Sequence, residues 1–213
     1  MKESPAPFGA RLLTRKDYRR VKWKNGQGTS EEVAVFPEDA TAQNGEFLWR
    51  LRAAPLVEAK SVFSVYAGYE RCLTLIEGDK LKLLFKSGAR EVQLKQGEVC
   101  QFSGNEEISC ETSPVPSKDL GLIFKRGAVK AEFSVMTIGV KPRSFEIRSR
   151  TAFIYAISGS VKASLYPGEL KFTVNAGETL RLDAVAAGAP DERVLLLEPK
   201  NKDFQFAAIE LSW

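Results

Sequence analysis

No histidine occurs among the 213 residues of this chain. That absence excludes imidazole acid–base catalysis and removes the ligand that zinc, copper and non-haem iron sites most often use. Cysteine is sparse. Cys72, Cys100 and Cys110 form an odd, loosely spaced set, neither a disulfide framework nor a zinc signature, and reduced thiols are expected. No run approaches the ~18 continuous apolar residues that a membrane helix needs. Residues 1–10 carry Pro5, Pro7 and Gly9 without an apolar segment, and are expected to form a loose tail rather than a secretory signal. Charge of one sign is not in excess: 31 basic and 27 acidic residues give +4, scattered through the chain. These absences argue against a nucleic-acid or membrane partner, and for a cytoplasmic protein with neither metal nor cofactor.

What is present is a soluble composition, 44% apolar and 27% charged, in a chain long enough to bury a core as one large domain or two fused ones. Thr14-Arg15-Lys16-Asp17 has the form of an N-cap with an acid three residues on, which predicts a short helix near 14–21. From Glu31 onward the pattern becomes alternating, in short apolar runs punctuated by Gly, Pro, Asn or Asp. Strands are expected at 33–36, 47–53, 72–77, 81–85, 91–94, 99–102, 120–125 and 131–138. Further strands are expected at 145–147, 153–157, 161–166, 172–174, 179–182, 194–198 and 206–211. Many short strands at regular spacing predict an all-β sandwich or barrel.

An internal repeat divides this pattern. Leu73-Thr74-Leu75-Ile76-Glu77-Gly78 recurs as Ile154-Tyr155-Ala156-Ile157-Ser158-Gly159, then Gly88 as Gly168, Gly97-Glu98 as Gly177-Glu178, and Phe102 as Leu182. Each copy reads as strands joined by glycine turns, where a left-handed backbone costs glycine nothing. Two tandem β-barrels follow, with residues 1–112 as the N-terminal barrel and 113–213 as the C-terminal one, packed as one unit. Ser113 to Ser117 is expected as the loop at the changeover. The strand–Gly–strand–Gly-Glu–strand skeleton is that of a cupin half-barrel, a jelly roll. The positions where metal-binding cupins carry histidine carry none here.

Three stretches concentrate polar and aromatic side chains beside apolar strands: Trp23-Lys24-Asn25-Gly26-Gln27-Gly28-Thr29, Phe47 to Arg52, and Phe63 to Arg71. Asn25-Gly26 and Gly28 make either a plain turn or a loop whose amides and Asn25 side chain face an anion. Thr29 either adds a hydroxyl or simply suits the strand. Alternation puts Trp49 and Leu51 on one face, Arg50 and Arg52 on the other. The two arginines are then either solvated or turned into a cavity, where a guanidinium matches a carboxylate bidentately. Arg71 is a second anion contact or a salt-bridge partner. Ser64 offers a hydroxyl but lacks a histidine base. Glu31, Glu32 and Glu98 are the nearby carboxylates, and Glu98 reads as a surface turn residue. Cys72 reads as a small buried apolar residue.

Together with Phe102-Ser103-Gly104-Asn105, these stretches resemble the HutD/Ves family, strongly over 11–105 and loosely beyond. Its pattern falls on Trp23, Asn25, Gly26, Gly28, Thr29, Trp49, Arg50, Phe63, Ser64, Gly68, Arg71, Phe102, Gly104 and Asn105. Gln27 stands where a third glycine is usual, and Arg52 where serine or threonine is common. The resemblance implies a cytoplasmic bicupin, for which binding of formyl- or formimino-glutamate in the regulation of histidine utilisation has been proposed; other members are stress-inducible. It also carries an expectation of a homodimer. The expected ligand pocket is made by Trp23, Asn25, Thr29, Trp49, Arg50, Arg52, Ser64 and Arg71, with no catalytic residue and no metal ligand. The alternatives are a metal-free isomerase or hydrolase acting on a small carboxylate, and an interaction module with a vestigial pocket.

Overall fold

The structure, a computed structural model, describes residues 8–23, 28–40, 46–56, 58–87, 90–112, 116–167, 170–184, 193–200 and 203–213. Alternating apolar runs give strands throughout: β1 (Phe8–Leu13), β2 (Arg19–Lys22), β3 (Thr29–Phe36), β4 (Trp49–Leu56), β5 (Lys60–Val62), β6 (Tyr69–Glu77), β7 (Lys80–Phe85), β8 (Arg90–Lys95), β9 (Val99–Ser103) and β10 (Ile108–Thr112). The chain continues with β11 (Ser117–Lys125), β12 (Lys130–Ile138), β13 (Arg143–Glu146), β14 (Thr151–Ser158), β15 (Ser160–Tyr166), β16 (Leu170–Asn175), β17 (Thr179–Ala184), β18 (Val194–Pro199) and β19 (Phe204–Ser212). Among the described residues no helix is long and apolar enough to cross a membrane.

The helix expected near 14–21 is not there. Residues 15–17 form a turn, and Arg19–Lys22 pair with β3 instead. A cap signature closes one turn equally well, and the β3 edge then captures the following residues. Nor is the whole of residues 1–10 a tail, because Phe8–Leu13 pair along β17, Leu12 opposite Leu180.

Two units result: Asp17–Val129, and Lys130–Trp213 together with residues up to Lys16. The division thus falls at 129/130 rather than the expected 112/113. The reason is β11, which lies between β4 and β6 and completes the first unit's sheet. Ser113 to Val115, in the expected changeover loop, lie outside the described residues.

The first unit has a six-stranded sheet, β2-β3-β4-β11-β6-β9, and a four-stranded sheet, β5-β10-β7-β8. Leu73, Leu75 and Phe102 from one meet Leu81, Leu83, Ile108 and Cys110 from the other in a single apolar cluster. The second unit repeats the plan with sheets β1-β17-β14-β19-β12 and β13-β18-β15-β16. Ile154, Leu180 and Phe206 there face Val161, Leu195 and Leu197. The repeat read from the sequence is visible in its turns. Gly97 and Gly177 both take positive φ (87° and 83°), and the glutamate after each closes its hairpin by accepting a backbone N–H, Glu98 from Lys95 and Glu178 from Asn175. Glu98 is thus a turn residue.

Candidate functional site: an arginine-lined cavity in the first barrel

Strand register assembles the site. In β4, β11 and β6, Arg50 stands opposite Ile123 and Ile123 opposite Arg71, while Arg52 stands opposite Gly121 and, on its other side, Glu32 of β3. Directly paired residues share a face, so three arginines turn toward the barrel interior. Gly121 leaves room for this. A Cβ there would sit 3.4 Å from the Arg52 Cζ, so the guanidinium lies over the β11 backbone.

All three guanidinium groups are buried, and their partners differ. Arg52 makes a bidentate pair with Asp119, at 3.1 Å and 3.0 Å. Arg50 Nε lies 2.6 Å from Glu32 Oε2, a charge contact whose N–H axis misses the oxygen. Its Nη1 donates to the Tyr66 hydroxyl at 3.5 Å. Glu32 also accepts from the half-exposed Arg19, at 2.9 Å to Nε. Arg71 has no carboxylate partner among the described residues. Only 3% exposed, it donates to the Ser64 carbonyl at 3.1 Å and lies against Phe63, Phe102 and Tyr66, its Cζ 5.1, 5.1 and 5.7 Å from their centroids. Burial, and then the charge of Arg52, push its pKa from the ordinary arginine value down to about 9, against the opposing pull of Tyr66 and Asp119. Four arginines thus share two carboxylates, and the uncompensated charge sits on Arg71.

Arg50, Arg52 and Arg71 line one cavity of about 20 Å³ with Trp23, Ser30, Phe63, Ser64 and Tyr66. That is room for about one or two water-sized groups. Two donors there find no partner among the described residues: the Ser30 hydroxyl, in a side chain 2% exposed, and the buried Trp23 indole N–H. Buried polar groups in folded proteins are nearly always satisfied, so two orphans beside an unpaired cation are informative.

The glycine motifs position this lining. The Trp23 ring lies against Gly28, where a Cβ would come within 3.0 Å, and Trp23 N donates to Gly28 O at 2.8 Å. A Cβ on Gly104 would be 2.4 Å from the Tyr66 carbonyl; the bare backbone instead exchanges 2.8 Å hydrogen bonds with Tyr66 and Tyr69. Asn105 Oδ1 accepts from Gly68 N at 2.9 Å. The Phe102-Ser103-Gly104-Asn105 turn therefore pins the loop carrying Ser64 and Tyr66.

Of the residues expected in a pocket, Trp23, Arg50, Arg52, Ser64 and Arg71 come together here. Asn25 lies outside the described residues, as do Gly26 and Gln27. Trp49 is fully buried, stacked on Phe36 at 5.9 Å, and is not among the lining residues. Nor is Thr29; its neighbour Ser30 holds that place, because pairing with β4 sets the phase of β3. Sequence reasoning missed Ser30, Phe63, Tyr66 and Asp119 as parts of the site. Ser30 and Glu32 have the same strand parity, which was a usable signal, whereas Asp119 is remote in sequence.

A divalent cation does not fit this cavity. Its charged lining is three arginines, and among the described residues no three His, Cys, Asp or Glu side chains gather as a metal group.

The HutD family model matches residues 15–197. An uncharacterized 21.2 kDa protein in the hutC 3′ region of Pseudomonas putida is 30% identical over 204 residues, covering 94% of this chain and 96% of that one. Protein Ves of Citrobacter koseri is 31% identical over 140 residues, 65% of this chain and 68% of its own. Among solved structures, the conserved protein of unknown function PA5104 from Pseudomonas aeruginosa PAO1 superposes with a TM-score of 0.83. It is 26% identical and covers 96% of this chain and all (100%) of its own. A cupin 2 conserved barrel domain protein from Leptotrichia buccalis shares the fold alone, with TM-score 0.57 and 12% identity over 94% of this chain and 95% of its own. Built as two cupin barrels, with the glycine motifs shaping the first, this chain belongs to the HutD family.

Proposed function

We propose that the chain is a metal-independent binding protein for a small carboxylate, held by its head group in the first barrel, and that it serves a regulatory rather than a catalytic role. The observation that carries this reading is Arg71: a buried cation without a carboxylate among the described residues, facing a cavity whose Ser30 and Trp23 donors likewise find no acceptor there. A ligand carboxylate supplies the missing charge and accepts from all three. Charge-assisted bonds of this kind are among the stronger ones a site can offer. Arg50 and Arg52 already hold Glu32 and Asp119, so they shape the site and raise its positive potential. The same pairing ties up both buried carboxylates, which supports binding over acid–base chemistry.

The cavity volume suits one head group, with the remainder of the ligand directed past Trp23. A formyl- or formimino-glutamate is the ligand we propose to test first. The relative in the hutC 3′ region supports that choice by its genomic place.

The test is a thermal-shift and calorimetric titration with acetate, glutamate, formylglutamate, formiminoglutamate and urocanate, on wild type and Arg71→Met. The expected result is a dose-dependent rise in melting temperature, reflecting a stabilisation of about 2.7 kcal/mol at a hundredfold excess over Kd, abolished in the variant. No shift with any of these carboxylates, or an undiminished one in Arg71→Met, overturns the proposal.

A further inference from the structure

Glu32 links the cavity of the first barrel to its surface. On β3 it stands opposite Arg19 of β2 on one side and Arg52 of β4 on the other, so the three share one face. Arg52 is engaged by Asp119, and the β3–β4 register shifts directly after Glu32, between Glu32 and Ala34. Such an irregularity re-aims side chains, and the Glu32 carboxylate reaches diagonally to Arg50 rather than to its ladder partner. Its two oxygens are used unequally. Oε1 accepts from Arg19 Nε at 2.9 Å and from Arg19 Nη2 at 2.5 Å, and the same Nη2 donates to the Ala40 carbonyl at 3.3 Å. Oε2 lies 2.6 Å from Arg50 Nε without a hydrogen bond between them, and neither atom finds a hydrogen-bond partner among the described residues.

A buried guanidinium touching a buried carboxylate ordinarily closes a bidentate pair, as Arg52 does with Asp119 in the same barrel. Glu32 and Arg50 are as buried as that pair, with side chains 2% and 3% exposed, yet they do not close. A fork needs both carboxylate oxygens turned to the same guanidinium, and Arg19 holds Oε1 with two donors. The Arg50 Nε–H is thereby left without an acceptor, in a residue that lines the cavity beside Arg71.

We propose that Arg19 is a positioning residue for the carboxylate cavity: by holding Glu32 Oε1 it stops Glu32 from closing on Arg50, and so keeps the Arg50 Nε–H available to the ligand's carboxylate alongside Arg71. This inference rests on the carboxylate reading given above. Arg19 is the half-exposed member of the chain Arg19–Glu32–Arg50, so affinity in a buried cavity is set by a contact that solvent reaches.

The test is a calorimetric titration of the full chain with acetate and with formylglutamate. Wild type is compared with Arg19→Met, Arg20→Met, Glu32→Gln and the double change Arg19→Met with Glu32→Gln. Arg20 is exposed and adjacent on β2, so its variant controls for the loss of one surface charge. The dissociation constant should rise about tenfold in Arg19→Met and stay unchanged in Arg20→Met. In the Glu32→Gln chain the Arg19→Met change should have no effect, because the carboxylate that Arg19 restrains is gone; a merely structural role would not show this coupling. Without ligand, the Arg50 Nε–H resonance should move downfield in Arg19→Met as Glu32 turns onto it. Undiminished binding in Arg19→Met, an equal loss in Arg20→Met, or a loss that persists beside Glu32→Gln overturns the role of Arg19 and leaves the carboxylate reading standing. No binding by wild type overturns that reading, and this inference with it. If Glu32→Gln does not fold, the comparison of Arg19→Met with Arg20→Met and the Arg50 resonance decide the matter.

Discussion

Replacing Arg71 by methionine should stabilise the ligand-free protein while abolishing carboxylate binding. Keeping the guanidinium charged where its pKa falls from the ordinary arginine value to about 9 costs on the order of 4–5 kcal/mol. Against this stand its bond to the Ser64 carbonyl, about 1.5–3 kcal/mol for a charged donor, and its contacts with Phe63, Tyr66 and Phe102. Methionine recovers part of those aromatic contacts through its sulfur. The balance favours methionine by about 1–2 kcal/mol, a rise in Tm of roughly 2–8 °C for a chain of this length. The pH dependence has a definite sign. Above about pH 9, and up to the ordinary arginine pKa, the unfolded chain holds a proton on Arg71 that the native one has released, so wild-type stability gains with pH in that window. The advantage of methionine is therefore full below pH 9 and shrinks above it. A bound carboxylate restores the charge, so affinity should be level from pH 7 to about 8 and fall as pH rises through about 9. Thermal melts at pH 7 and pH 10, with and without formylglutamate, check each part. A lower Tm for Arg71→Met at pH 7 would refute the reasoning, because Arg71 would then hold the fold together rather than wait for an anion.

The Arg52–Asp119 pair is fully buried and bidentate, so Arg52→Leu alone should cost about 3–5 kcal/mol and the double change Arg52→Leu with Asp119→Leu much less; urea unfolding of the three proteins measures this. Gly104→Ala forces a Cβ toward the Tyr66 carbonyl, 2.4 Å away, and should destabilise by roughly 2–4 kcal/mol as a backbone clash, with weaker carboxylate binding through displacement of the Tyr66 loop. Burial raises the Cys72 and Cys110 thiols to about 12 and raises Cys100 as well. At pH 8 a thiol reagent should therefore label none of them in the native protein and all three after unfolding, as read by mass spectrometry.

The sequence made the strands legible wherever alternation lasted, as in Leu81–Phe85 or Val161–Tyr166, because period two has a single structural meaning there. It failed where pairing overrode local preference. Thr14-Arg15-Lys16-Asp17 has a helix-opening pattern, yet Arg19–Lys22 just beyond it gain ladder bonds with β3. Phe8–Leu13 pairs with β17, distant in the chain, and nothing local announces it. The arginines of the site were legible from alternation in Trp49-Arg50-Leu51-Arg52 and from the glycine bend before Arg71. Ser30 was missed by one residue, since the phase of β3 depends on the irregular register between Glu32 and Ala34. Asp119 was out of reach: it meets Arg52 across 67 residues. That long-range pair decides which arginine remains uncompensated.

One carboxylate head group is proposed to sit on Arg71, Ser30 and Trp23. The most direct measurement is the Trp23 indole N–H resonance, followed with the Arg71 guanidinium signals while formylglutamate or acetate is added. The chain has three Trp residues, so the signal can be assigned by substitution. The Trp23 and Arg71 resonances should move downfield together and saturate with one dissociation constant, as free donors gain an acceptor. If both stay fixed while another part of the chain responds, the carboxylate binds elsewhere and the assignment of this cavity is wrong.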